Sequence, residues 1–128
     1  MGLERAVRFA AGAVPAWERV GELLTRAGFP AQVRMIDGQL AFPDEPPPAS
    51  WAELRVGTPQ GMVTARREPD RVRLLTWGNA DAPMLQAWHA LARAFAAAGD
   101  GLIEAPDGPQ SAADFRRQAD LPSALRGG

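Results

Sequence analysis

His89 is the single histidine of the chain and the side chain best suited to proton transfer near neutral pH. A hydrolytic site would pair it with a nucleophile, and the candidates are Ser50, Ser111 and Ser123. None of these serines lies in the G-x-S-x-G sequence of a nucleophile elbow. We therefore interpret His89 as a surface or structural residue, and a small enzyme that uses His89 is kept as an alternative.

Composition excludes several other kinds of chemistry. The chain has no cysteine, which excludes disulfides, thiolate metal sites and cysteine nucleophiles. All 14 basic residues are arginine, so Schiff-base and P-loop lysines are absent as well. The carboxylates lack the spacing of a calcium loop, and the glycines do not form a G-x-G-x-x-G motif. The sequence accordingly predicts neither a metal site nor a cofactor.

Residues 53–56, 62–67 and 72–77 alternate in polarity between turn residues, which predicts a three-stranded antiparallel meander. One face of this meander is apolar and is expected to join the core: Leu54, Val56, Val63, Ala65, Val72 and Leu74. The other face mixes charged, apolar and aromatic side chains: Glu53, Arg55, Met62, Thr64, Arg66, Arg73, Leu75 and Trp77. In this register Arg66 lies opposite Arg73, and Glu53 lies opposite Arg66 on its other side.

This mixed face is the candidate binding site. Directly opposed arginines destabilise a sheet unless another group compensates, and arginine and tryptophan are typical anchors of protein interfaces. One interpretation is a half-solvated face whose arginines stack along Trp77, and the functional interpretation is a surface for an acidic protein partner. The predicted partner-binding residues are Arg55, Arg66, Arg73, Trp77, Leu75 and Met62. The net charge of -1 disfavours nucleic acid as the partner, and a homodimer seam through the same apolar residues is left open.

The chain ends in Leu125-Arg126-Gly127-Gly128. These four residues resemble the tail of ubiquitin, and the resemblance implies a modifier whose terminal carboxylate, here on Gly128, is activated and transferred. The rest of the chain departs from that family, because the β-grasp fold begins with a hairpin followed by a helix, and here a helix precedes the hairpin. A ubiquitin-like modifier is therefore kept as an alternative.

The elements that position these residues are predicted from apolar periodicity. Helical spacing predicts one helix over 15–27 and a second helix from an Asp81 N-cap to residue 98, while residues 7–9 form a short first strand. Asp37-Gly38 predicts a two-residue hairpin in which Met35 faces Leu40 and Val33 faces Phe42, so that four large apolar side chains share one face. A last strand over 101–104 and a helical turn opened by Ser111 complete the chain.

The resulting order, β-α-β-β-β-β-β-α-β, predicts an α+β fold with a largely antiparallel sheet, two helices packed on one face and a short C-terminal helical turn. A chain of 128 residues fits one domain, which we place at residues 1–120, with a flexible tail at 121–128. The sequence shows no signal peptide and no apolar run long enough for a membrane span, so we expect a cytoplasmic protein. This layout is similar to that of small bacterial immunity and adaptor proteins, and the leading hypothesis is a non-enzymatic protein-binding module.

Overall fold

The computed structural model describes residues 2–10, 13–42, 45–77, 81–106, 108–118 and 121. Within them the chain forms one eight-stranded sheet and three helices. The strands are β1 (Gly2–Arg8), β2 (Gln32–Ile36), β3 (Gln39–Leu40), β4 (Glu53–Thr58), β5 (Gly61–Glu68), β6 (Arg71–Trp77), β7 (Leu102–Ala105) and β8 (Gly108–Gln110). The helices are α1 (Trp17–Arg26), α2 (Ala82–Gly99) and α3 (Ala112–Gln118).

The strands follow one another across the sheet in the order β3-β2-β4-β5-β6-β1-β7-β8. Each neighbouring pair is antiparallel. The first strand of the chain therefore lies inside the sheet, between β6 and β7. The predicted α+β class with a largely antiparallel sheet is confirmed.

The predicted register of the meander is also confirmed. Arg66 lies opposite Arg73 on one side and opposite Glu53 on the other. The six apolar residues assigned to the core are at most 1% exposed: Leu54, Val56, Val63, Ala65, Val72 and Leu74. Strict alternation along these strands therefore separates a buried face from a face that carries the mixed side chains.

Helix α2 covers the apolar face of the sheet and connects the helical layer. Asp81 is its N-cap, because the Asp81 Oδ1 accepts a hydrogen bond from the Met84 backbone N–H at 3.0 Å. Trp88 Nε1 donates to the Leu74 carbonyl oxygen of β6 at 2.8 Å, which fastens the helix to the sheet. Helix α1 packs on α2, with the Trp17 and Phe95 rings 6.1 Å apart between centroids.

The hairpin around Asp37 differs from its prediction beyond the first two pairs. Met35 lies opposite Leu40 as expected, but β3 ends at Leu40, so the predicted pairing of Val33 with Phe42 is wrong. A register shift between Val33 and Met35 places Val33 opposite Val56 and Met35 opposite Arg55. Such a bulge adds one residue to β2 and reverses the alternation of its side chains. Val33 is therefore buried in the core, and Phe42 is 75% exposed.

The C-terminal part contains one strand that the sequence did not predict, β8, which pairs with β7. Helix α3 begins at the predicted Ser111, whose Oγ accepts a hydrogen bond from the Asp114 backbone N–H at 3.2 Å, and Phe115 is buried. Leu121, at the start of the predicted tail, is fully buried, and residues 122–128 lie outside the described residues. In the described part of the chain, the helices are too short or too polar to cross a membrane.

Candidate functional site

The face of the sheet opposite the helices, called the open face below, carries five of the six predicted partner-binding residues. No helix of the described residues packs against this face. The register aligns the side chains of this face in rows that cross the strands. One row crosses β2, β4, β5, β6 and β1 and contains Met35, Arg55, Thr64, Leu75 and Glu4. The next row crosses β4, β5, β6 and β1 and contains Glu53, Arg66, Arg73 and Ala6. The open face therefore holds both the predicted arginines and several apolar side chains.

Four of the six predicted site residues line one shallow depression of about 440 Å³ in the open face. They are Arg55, Met62, Arg66 and Leu75, and the depression is also lined by Glu53, Thr64 and Thr76. Met62 is 41% exposed, whereas Leu75 is half-buried. The structure thus brings together four predicted residues from three strands that are separated by up to twenty positions in the sequence.

The remaining two predicted residues lie on β6. Arg73 lies directly opposite Arg66 in the register. Trp77 is the last residue of β6 and pairs with Gly2, while its side chain lies outside the described part of the structure. The predicted stacking of arginines along Trp77 therefore stays a prediction.

Arg66 and Arg73 are neutralised by carboxylates of the same chain. Arg66 Nε lies 3.3 Å from Glu53 Oε2, and Arg73 Nη1 lies 2.8 Å from Glu4 Oε1. Arg73 Nε also donates to Glu68, and the hydrogen bonds to Glu68 and Glu4 raise the pKa of Arg73 above its usual value. These pairs offset the repulsion between the two opposed arginines. The pairing of Glu53 with Arg66 was predicted from the sequence, whereas the pairing of Glu4 and Glu68 with Arg73 was not.

The neutralised region continues along the open face towards β7. Arg71 is bonded to Asp70 at 3.3 Å and lies 3.8 Å from Glu104, and Arg8 lies 3.4 Å from the same Glu104 carboxylate. The part of the open face formed by β6, β1 and β7 is thus a mosaic of ion pairs. Each pair is partly exposed and contributes little to stability on its own.

Two other arginines of the open face have no such partner. Neither Arg34 nor Arg55 forms an ion pair within the described part of the chain. The Arg34 side chain lies across Gly57 of β4, because a Cβ added to Gly57 would come within 3.0 Å of Arg34 Nε. Arg55 is two residues before Gly57 on the same strand and points to the same face. Among the described residues, the arginines of the open face that form no ion pair therefore lie on β2 and β4.

Arg34 was missed by the sequence analysis. Arg34 follows buried Val33 and therefore lies on the open face by regular alternation, and the β2 bulge places Met35 on that face as well. Arg34 also lines a second depression of about 420 Å³, together with Gln32, Gly57 and Met62. Met62 is shared by the two depressions, so they form one continuous surface along β4 and β5.

His89 lies in a different part of the molecule, on α2. Its ring stacks on Trp88 at 5.3 Å and meets the edge of Phe115 at 5.5 Å between centroids. The Arg5 guanidinium lies over the Trp88 ring at 4.6 Å, and burial lowers the pKa of Arg5. This packing fits the structural interpretation of His89. Among the described residues, no three His, Asp or Glu side chains are placed to hold a metal ion together.

Comparisons with protein-family models, curated proteins and solved structures gave no match for this chain. The element order agrees with the departure from the β-grasp fold seen in the sequence, since β1 and α1 precede the β2–β3 hairpin. Gly127 and Gly128, which carry the resemblance to the ubiquitin tail, lie outside the described residues.

Proposed function

We propose that this chain is a non-enzymatic protein-binding module that uses the open face to bind an acidic surface on a partner protein. The observation that carries the proposal is the pair Arg34 and Arg55, which lie beside exposed Met62 and lack carboxylate partners in the described part of the chain. Charged groups that meet no opposite charge within their own chain gain most from an opposite charge on a partner. An immunity- or adaptor-like role falls within this proposal.

The edges of the sheet are poor alternatives to its open face. At one edge, β3 has two residues, and at the other edge β8 has three residues and includes Pro109. Short edge strands and proline limit the pairing of a further strand. A partner is therefore expected to bind to side chains of the open face and not to add a strand to the sheet.

The ion pairs change which arginines matter most for this function. A partner carboxylate at Arg66 or Arg73 would compete with Glu53, Glu4 or Glu68. A carboxylate at Arg34 or Arg55 would meet no such competitor in the described part of the chain. We therefore expect reversal of the charge at Arg34 and Arg55 to weaken binding more than loss of the charge at Arg66.

Affinity capture from the native host tests the proposal. The bait is the N-terminally tagged full chain, compared with Arg55→Glu, with Arg34→Glu and with Arg19→Glu, which places the same charge change on the exposed surface of α1. We expect a partner that the wild type and Arg19→Glu retain under native washing and that both open-face variants lose by about tenfold or more.

Two outcomes would contradict the proposal. A partner retained equally by both open-face variants, with all baits folded by circular dichroism, would show that another surface binds. A partner that survives denaturing washes and is linked through Gly128 would favour the ubiquitin-like modifier instead.

A further inference from the structure

The open face also favours one secondary structure for the partner segment that binds to it. We infer that the partner segment is an amphipathic α-helix that lies along β4 and β5, with two carboxylates one helical turn apart that bind Arg55 and Arg34. The inference rests on the proposed function and goes beyond it, because it fixes both the structure of the segment and the spacing of its acidic residues.

The two arginines are spaced along β4 like two residues on one face of a helix. Arg55 and Gly57 are alternate residues of β4, so their Cα atoms are roughly 7 Å apart. The Arg34 side chain lies over Gly57, which places its guanidinium near that end of the interval. Residues four apart in a helix lie on one face and are separated by roughly 6 Å along the axis. Two carboxylates at positions i and i+4 therefore match Arg55 and Arg34.

The surface of β4 and β5 between and beside the two arginines is apolar in part. Gly57 has no side chain of its own, and the Arg34 and Met62 side chains lie over it, so these two side chains form the surface that a partner meets there. Met62 and Leu75 supply the apolar side chains of the same surface. Strand β4 has six residues and is roughly 20 Å long, which accommodates about 13 residues of a helix.

A helix suits this surface better than an extended segment does. A strand lying on side chains of a sheet face would leave its own N–H and C=O groups without partners, whereas a helix satisfies them internally. The short edge strands β3 and β8 offer little backbone pairing in compensation. An extended segment would also bring carboxylates to the same spacing at positions i and i+2, so acid spacing distinguishes the two.

A displayed library of single-helix peptides, each about 14 residues long and randomised at all surface positions, tests the inference against the full chain. We expect enriched peptides to carry two acidic residues at i and i+4 beside an apolar stripe. Arg55→Glu should weaken their binding about tenfold or more, and replacing both peptide acids by glutamine should have a similar effect. Arg19→Glu should leave the affinity unchanged, as measured by fluorescence anisotropy.

The variant Met62→Ser separates failure of this inference from failure of the proposed function, since it removes an apolar side chain of this surface and adds no charge beside Arg34 and Arg55. Enriched peptides that lose binding to Met62→Ser but not to Arg55→Glu would leave the open face as a binding surface and overturn the acidic helix. Acids enriched at i and i+2, or a selection that enriches no helical peptide, would overturn it as well. Peptides that bind both variants as tightly as wild type would also count against the proposed function.

Discussion

Asp37 has two structural roles, one in the hairpin turn that the sequence predicts and one in binding β4 that it does not. Its role in the hairpin turn follows from the Asp-Gly pair, and its φ of 49° is the left-handed conformation that such a turn requires. Its carboxylate also accepts hydrogen bonds from the backbone N–H groups of Ala52 and Glu53, each at 2.8 Å. This second role joins the hairpin to β4 across fifteen residues, and nothing local in the sequence indicates it.

The two backbone hydrogen bonds lower the pKa of Asp37, which gives an acid-dependent prediction. A depressed folded-state pKa contributes stability above the unfolded value of about 3.9, and the contribution is lost as the pH falls from there through the folded value. Asp37→Asn tolerates the same backbone conformation but removes the charge. At pH 7 we expect the unfolding midpoint to fall by roughly 2–4 °C.

Thermal unfolding at pH 7 and at pH 3 measures this effect, with Asp100→Asn as a control, since Asp100 is exposed and has a similar φ of 53°. The difference between wild type and Asp37→Asn should shrink at pH 3, because the carboxyl of the unfolded chain, with a pKa of about 3.9, is then largely protonated and the stabilisation by a lowered folded-state pKa is partly lost. An equal difference at both pH values would mean that the charge of Asp37 contributes nothing to folding.

At the scale of elements, the turn between β4 and β5 packs against the first turn of α2. Gly61 has a φ of 135°, and a Cβ at this position would lie 1.7 Å from Met84 Sδ. Gly38 also has a positive φ, of 84°, but a Cβ there would meet nothing within 4 Å. Gly61 thus combines backbone strain with a clash between elements, whereas Gly38 has backbone strain alone.

We expect Gly38→Ala to destabilise the protein by about 1 kcal/mol through backbone strain alone. Gly61→Ala should cost about 1–3 kcal/mol more, because a φ of 135° is less accessible to alanine than a φ of 84° and because Met84 must also move. Adding Met84→Ala to Gly61→Ala should recover part of that difference, as measured by urea unfolding. Equal effects of the two single glycine substitutions would show that α2 does not pack against this turn in solution.

Elements were predictable where a local signal existed. Asp81 and Ser111 mark helix starts by their capping chemistry, and the meander follows from alternation between turns. The β2 bulge and the short strand β8 depend on pairing with distant strands, so neither has a local signature. The bulge has the larger consequence, since it places Met35 on the open face while Val33 stays in the core, although regular alternation puts both on one face.

At the scale of the whole molecule, the register of the meander predicted that Arg55, Arg66 and Arg73 share the open face but not which of them form ion pairs. The alternation of polar and apolar residues places Arg55 and Arg66 on the same face and does not distinguish them. Glu53 nevertheless neutralises Arg66, whereas no carboxylate of the described residues forms an ion pair with Arg55. The pairing of Arg73 with Glu4 joins residues that are 69 positions apart. Only the strand order, with β1 beside β6, brings them together.

The division of the sheet into a buried face and an open face predicts a sharp contrast between adjacent residues of β4. Leu54 is fully buried, so Leu54→Ala should cost about 2–5 kcal/mol through lost burial and the cavity that remains. Arg55 is exposed and has no ion pair in the described part of the chain, so Arg55→Ala should change the free energy of unfolding by less than about 0.5 kcal/mol. Urea unfolding at two protein concentrations measures both. A large, concentration-dependent loss in Arg55→Ala would mean that a second copy of the chain covers the open face in solution, and this face would then not be free to bind another protein.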